Sequence, residues 1–302
     1  MNVRIVIAGG TGFLGKALAG ALAGQGADVV VLTRRETPGT SPYRLVTWTP
    51  DGSAGEWASA IDGADAVVNL AGVSIAGARW TAAHKQRVLD SRVNATRSLV
   101  AAIRLVKTPP RALLNGSAIG YYGPRDDRPV TESDPPGSDF LASVCVAWER
   151  EAAAAAGLTR LVALRTGLVL EKDGGGLPEM LLPFRIGAGG PVGSGRQYWP
   201  WIHRDDWVAI VLWLLRTPAI AGPVNLSAPN PVTNREFARA LGAAMHRPSF
   251  MPAPAFALRI LLGEMAEGLL LSGQRAIPRK ALDGGFSFRY TRVDEALMAI
   301  FR

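Results

Sequence analysis

Residues 6–15 read VIAGGTGFLG, and the spacing of the glycines dictates what can sit around them. An apolar run, Val3 to Ala8, feeds straight into Gly9, Gly12 and Gly15. After a strand, a first glycine permits a tight turn. A second lets backbone approach a diphosphate, and a third lets the following helix pack closely on the strand. The helix start then offers free N–H groups and the positive end of its dipole to an anion. By itself the pattern is weak, since the chain holds 34 glycines and an ordinary strand–helix turn would look similar. Its place directly after the first strand strengthens it.

Working outward, strands and helices alternate. Strands are expected at Val3–Ala8, Asp28–Thr33 (the β-branched run DVVVLT), Ala64–Leu70, Arg111–Asn115 and Leu161–Arg165. Helices are expected at Leu14–Gln25, Thr81–Val106 (stopped by Pro109-Pro110) and Phe140–Ala156. Continuous apolar strands separated by crossover helices imply an α/β fold with a doubly wound parallel sheet. After about residue 170 the texture becomes glycine-rich, with helices expected at Trp207–Arg216, Asn234–Met245 and within Pro254–Leu271. The expected division is a dinucleotide-binding domain over 1–170 and about 201–228, and a smaller substrate lobe over about 171–200 and 229–302.

The chain has 302 residues, a net charge of +8 and one cysteine, Cys145. A single thiol excludes an internal disulfide and fits a reducing compartment, so a cytoplasmic location is expected. No signal peptide is legible, and no apolar run approaches the roughly 18 residues of a membrane span. The arginines are scattered, without a basic run or a nucleic-acid motif, so dispersed surface charge is the plain reading, and a small anionic ligand is expected before nucleic acid. No histidine–cysteine cluster has metal-ligand spacing, and no metal is expected.

The end of the second strand bears on the choice of cofactor. An acid there suits the ribose hydroxyls of NAD, whereas this chain carries Thr33-Arg34-Arg35. Arginine suits the 2′-phosphate of NADP by charge and by its forked geometry. NADP(H) is therefore the expected cofactor; a pair of solvent-facing arginines is the plainer alternative.

With these residues in view, the chain resembles an extended or atypical short-chain dehydrogenase/reductase. More closely it resembles the NAD-dependent epimerase/dehydratase-like, nucleoside-diphosphate-sugar epimerase-like branch. The resemblance rests on GGTGFLG (9–15), NLAG (69–72), GSAIGYYG (116–123), RTGLVL (165–170), LPFRIGAGGPVGSGRQYWPWIHRDD (182–206) and GQRAIPRKALDGGFSFRY (273–290). It implies a Rossmann-like fold. It implies cofactor contacts from Gly9, Thr11, Gly12, Phe13, Leu14 and Gly15, from Asn69, Leu70, Ala71 and Gly72, and from Arg92 and Leu168. Without the resemblance, Asn69 reads equally well as a turn cap and Arg92 as a solvated helix arginine.

Active members of the superfamily use a serine or threonine with Tyr-x-x-x-Lys, the lysine lowering the tyrosine pKa. Aligned on Glu149, those two positions here are Leu141 and Cys145. Ser117, Tyr121 and Tyr122 are the remaining catalytic candidates, although aromatics after a strand more often serve packing. Substrate contacts are expected from Arg185, Trp199, Trp201 and His203, and Asp206 reads as the cap of the helix at Trp207. Two readings stay open. One is an NADP-dependent epimerase- or reductase-like enzyme on a small carbonyl or sugar-related substrate, with a non-standard proton donor. The other is a catalytically weak NADP-binding sensor or interaction protein.

Overall fold

A computed structural model describes residues 3–35 and 41–302. Seven strands form the central sheet: β1 (Arg4–Ala8), β2 (Asp28–Thr33), β3 (Arg44–Thr47), β4 (Ala66–Asn69), β5 (Ala112–Ala118), β6 (Arg160–Thr166) and β7 (Gly222–Leu226). Their order is β7-β6-β5-β4-β1-β2-β3, and every neighbouring pair is parallel. The long helices are α1 (Phe13–Gly24), α2 (Ala82–Leu105), α3 (Phe140–Ala153), α4 (Leu177–Arg185), α5 (Arg204–Arg216), α6 (Asn234–Ala244), α7 (Ala255–Leu262) and α8 (Val293–Phe301).

Both faces of the sheet are apolar because successive side chains alternate between them. Ile5, Ile7, Val29 and Val31 pack on α1 and α5 with Leu18, Trp207 and Val211. Val6, Ala8, Val30 and Leu32 pack on the other face with Leu99, Ile103 and Trp57. The chain leaves β1 toward β2 and β3, then returns to β4 on the other side. That reversal opens a crevice at the carboxyl ends of β1 and β4, where open α/β sheets bind ligands. The architecture is Rossmann-like.

Helix starts follow from capping residues. Thr81 caps α2 through the His84 N–H, and Asp139 caps α3 through the Ala142 N–H. Thr233 and Glu236 form a reciprocal capping box on α6. α5 differs from expectation: it begins at Arg204, and its cap is His203. The β3 strand was not read from the sequence; it is a short edge strand with no buried residue.

A third core, around Leu177, Phe184, Trp199, Trp201, Phe237, Leu241 and Leu297, joins α4, α6 and α8. The segment 275–290, placed in that lobe by sequence, instead winds back onto the sheet. Ala276 pairs with Val130, and Ala281 is buried in the core shared with β7 and α5.

Candidate functional site

Gly9 ends β1 in the left-handed region, with φ +81°. A Cβ there would lie 2.7 Å from the Leu70 carbonyl carbon, so the turns after β1 and β4 can touch only through a glycine. A Cβ on Gly15 would strike the Gly9 carbonyl oxygen. Gly12 is different. It is exposed, and a Cβ on it would meet only Gly9 O, at 3.3 Å. It caps α1 with φ −78° and ψ 176° and supplies no side-chain acceptor. The N–H groups of the first helical turn therefore face outward without intrahelical partners, as an anion requires.

This cradle floors a cleft of about 470 Å³. Gly9, Thr11 and Gly12 form one wall, and Thr33 with Arg34 another. Leu70, Ala71 and Gly72 approach from β4. Trp48 and Pro50, just beyond β3, and Arg87, Asp90, Ser91 and Asn94 of α2 complete it. These last six residues escaped sequence reading. The helix residues had a legible signal, since 87, 90, 91 and 94 recur at the spacing of one helix face.

The other expected cofactor residues lie around the cleft. Asn69 is fully buried; its amide donates to Thr96 Oγ1 (2.9 Å) and Asn115 Oδ1 (2.7 Å), and its oxygen accepts from the Ala71 N–H. It shapes the turn that carries Leu70–Gly72. Arg35 is exposed, its N–H donating to Thr33 Oγ1 at 3.4 Å. Phe13 and Leu14 begin α1; the Phe13 ring lies against Gly174 and Gly175. Leu168 is half-buried on the short strand 168–170, beside Gly176. Arg92 lies behind Gly72, its Nη1 donating to Val73 O and Val88 O, both at 3.1 Å.

The catalytic candidates meet in one polar network. Ser117 Oγ donates to Glu149 Oε1 at 2.6 Å. Arg165 grips both oxygens of Glu149 through Nε and Nη2, each at 2.9 Å. Its Nη1 donates to the Tyr122 hydroxyl at 2.9 Å, and that hydroxyl donates to Asn225 Oδ1 at 2.7 Å. Burial pushes the Tyr122 phenol up to about 12, despite the pull of Arg165. With no exposed surface and both hydroxyl partners internal, Tyr122 holds the fold and does not reach a substrate. This corrects the expectation for that residue. Tyr121 is half-buried, with the Arg165 guanidinium 3.4 Å from its ring centre.

On α3, Leu141 and Cys145 are both buried. Cys145 Sγ lies 3.7 Å from Ala118 O, and burial pushes its thiol up to about 12. A Cβ on Gly268 would lie 2.7 Å from the Trp80 ring and 3.7 Å from Leu141 Cδ1. The segment after α7 therefore lies over this part of α3, tied down by the Lys85–Glu264 ion pair at 2.7 Å.

The substrate-side expectations need correction. Trp201 is wholly buried, donating to Asn230 O at 3.1 Å, and Trp199 packs on Phe237 with ring centres 5.3 Å apart. Both belong to the third core and offer no wall to a ligand. His203 is buried; Nδ1 accepts from the Asp205 N–H at 3.0 Å and the ring stacks on Tyr290 at 4.2 Å. Asp206 is not the cap but accepts from the N–H groups of Arg289 (2.8 Å) and Tyr290 (2.9 Å). Arg185 is exposed at the end of α4.

The profile of the NAD dependent epimerase/dehydratase family matches residues 5–226, and that of a domain of unknown function, DUF1731, matches residues 253–300. An epimerase family protein of Mycobacterium bovis is 42% identical over 298 residues, 98% of this chain and 97% of the relative. The epimerase family protein YfhF of Bacillus subtilis is 40% identical over 300 residues, 98% of this chain and 97% of the relative. The crystal structure of human epimerase family protein SDR39U1 with NADPH superposes with a TM-score of 0.91 at 36% identity, covering 99% of each chain. The likeness runs along nearly the whole length, and the chain belongs to the NAD dependent epimerase/dehydratase family.

Proposed function

We propose that the chain binds NADP(H) in the cleft above Gly12 and acts as an epimerase- or reductase-like enzyme on a small carbonyl or sugar-nucleotide-like substrate. The observation that carries this reading is the pairing of an open glycine cradle with Arg34 on the rim of one cleft. The cradle fits a diphosphate, since a side chain on Gly12 would fill the place of the ligand rather than clash with the fold. Arg34 supplies the cation for a 2′-phosphate, and the human relative was solved with NADPH. When bound, the cofactor supplies hydride transfer. The chain's own residues orient it: the α1 N–H groups toward the diphosphate, Arg34 toward the adenosine side, Leu70–Gly72 along the ribose.

The Tyr-x-x-x-Lys pair that the resemblance leads one to seek is replaced by Leu141 and Cys145, so a different group moves the proton. Tyr121 is the catalytic candidate left with exposed surface. A second reading, an NADP(H)-binding sensor, is favoured by one observation: Trp80 and Gly268 close over Leu141. The buried, lone Cys145 fits work in the cytoplasm.

Thermal unfolding with each cofactor tests the proposal. A ligand bound only by the folded state, at about 100 times its Kd, stabilises by about 2.7 kcal/mol. NADPH is expected to raise Tm clearly more than NADH at equal concentration. Equal shifts would remove the argument from Arg34, and no shift from either would remove the cofactor.

A further inference from the structure

We infer that one face of the lobe built on the third core, made by the end of α4, residues 250–254 and α7, docks on an anionic lipid bilayer. Its apolar side chains enter the acyl boundary, and Arg185 and Arg247 meet lipid phosphates. This face lies outside the cofactor cleft, so the inference stands independently of the cofactor reading.

A surface helix ordinarily turns an apolar stripe inward and a polar one outward. α7 does not: it has no buried residue, and its Phe256, Ile260 and Leu261 are 68–76% exposed. Phe250, just before it, is 76% exposed, and Leu182 and Ile186 of α4 are 64% and 72% exposed. Backbone hydrogen bonds bring these residues together. The Met251 N–H donates to Gly189 O at 3.0 Å, the Ala253 N–H to Pro191 O at 2.9 Å and the Gly193 N–H to Ala253 O at 2.9 Å. Residues 251–253 thus run along the loop that follows α4 and end where α7 begins. A phenylalanine side chain alone amounts to about 150–250 Å², so these six exceed the few hundred Å² of apolar patch that a monomer ordinarily leaves in water.

Charge selects among the occupants. Residues 180–204 and 237–263 contain no aspartate or glutamate, and their formal charges are all arginine. Arg185 adjoins Ile186, Arg247 lies three residues before Phe250, and both are exposed. Of the acids nearest in sequence, Glu267 is paired with Arg259 at 3.0 Å and Glu264 with Lys85 at 2.7 Å, while Glu179 stands exposed one turn before Leu182. A second copy would set arginine against arginine, which charge disfavours. A partner's helix needs a groove, whereas side chains this exposed stand out from the surface, as insertion into a bilayer needs. Apolar residues beside arginines bind anionic lipid by area and by charge together, reaching about 5–10 Å into the headgroup and acyl boundary. α7 is about 12 Å long, so it lies on the membrane and does not span it. Among the described residues no helix is long and apolar enough to cross.

Co-sedimentation of the full chain with vesicles tests this. Phosphatidylcholine vesicles that contain phosphatidylglycerol are expected to carry the chain down. Vesicles of phosphatidylcholine alone are expected to do so at least about tenfold less well, and added salt to release the chain. Phe256→Ser with Ile260→Ser, which empties no core, is expected to lower the partition coefficient at least about tenfold with unchanged circular dichroism. Arg185→Gln with Arg247→Gln is expected to weaken binding to the mixed vesicles about 10- to 30-fold and to flatten its salt dependence. Equal binding to the two vesicle types, or binding that survives both pairs of substitutions, overturns the inference. So does a chain that stays in the supernatant. If that chain sediments in the ultracentrifuge as a dimer that Phe256→Ser with Ile260→Ser splits, a second copy covers the face; if it sediments as a monomer, another protein does.

Discussion

Gly12 and Gly15 look equivalent in the sequence and do different things in the fold. A side chain on Gly15 runs into the Gly9 carbonyl, whereas one on Gly12 points toward the cleft. Gly15→Val is therefore expected to fail to fold, while Gly12→Val folds with near-normal circular dichroism and loses NADPH binding. Normal NADPH affinity in a folded Gly12→Val would reduce the loop to a turn. Tyr122 is the converse case, a residue with a catalytic look and a structural place. Tyr122→Phe removes the hydrogen bond to Asn225 and the one from Arg165, which costs about 1–3 kcal/mol of stability in denaturant unfolding. Its NADPH affinity is expected to stay unchanged; a selective loss of binding would return Tyr122 to the site. The sequence shows Tyr122 one residue from Tyr121 but not which is buried. Its partner Asn225 is 103 residues away, and only the assembled sheet brings them together.

The start of α5 shows the same limit for elements. "WIHRDD" signals a helix start, but which residue caps it depends on the backbone, and the cap is His203. In that role Nδ1 accepts a hydrogen bond, so the ring must be neutral there. Burial lowers the His203 pKa despite the nearby Asp205, Asp206 and Glu171, which raise it. Below the ordinary value of 6.5 the unfolded chain takes up a proton that the folded chain resists. Stability from this group is thus full above that pH and lost as pH falls through it. Asp206, raised by burial, acts with the opposite sign in a window reaching up from 3.8. A Tm series from about pH 8 down to pH 5 should therefore fall more steeply for wild type than for His203→Asn, which keeps a capping side chain. Identical slopes would mean His203 does not titrate as the fold requires. The buried strands β1, β2, β4 and β6 were legible because each is a continuous apolar run, the mark of a doubly covered sheet. β3 was not, because an edge strand of four residues, two half-buried and two exposed, carries no such run. Trp199 and Trp201 misled for a related reason: aromatic residues beside a glycine loop look alike whether they line a site or fill a core.

At the scale of the molecule, the cleft sits where the sheet order reverses, and the net charge of +8 suits an anionic ligand. The floor of that cleft was readable from local glycine spacing. Its far wall was not read: Trp48 follows the edge strand β3, which carried no signal, and the α2 face, legible as a helix face, is brought to the cleft only by the assembled fold. On the proposed reading, Leu141 and Cys145 stand where relatives are expected to carry the tyrosine and lysine, which provides no ammonium beside a phenol. A phenol with no ammonium beside it to lower its pKa is a poor base at neutral pH. Turnover of NADPH with simple aldehydes and ketones is thus expected to be very slow from about pH 5 to pH 9. Efficient reduction that survives Tyr121→Phe would move the active site elsewhere. Beneath all of this lies the claim that Arg34 and the Gly12 cradle together hold a 2′-phosphorylated dinucleotide. Calorimetric titration of NADPH and NADH into wild type and Arg34→Glu measures it most directly. Wild type is expected to prefer NADPH by about tenfold or more, the worth of one charged hydrogen bond, and Arg34→Glu to prefer NADH. Equal affinities in wild type, or an NADPH preference that outlives Arg34→Glu, would contradict it.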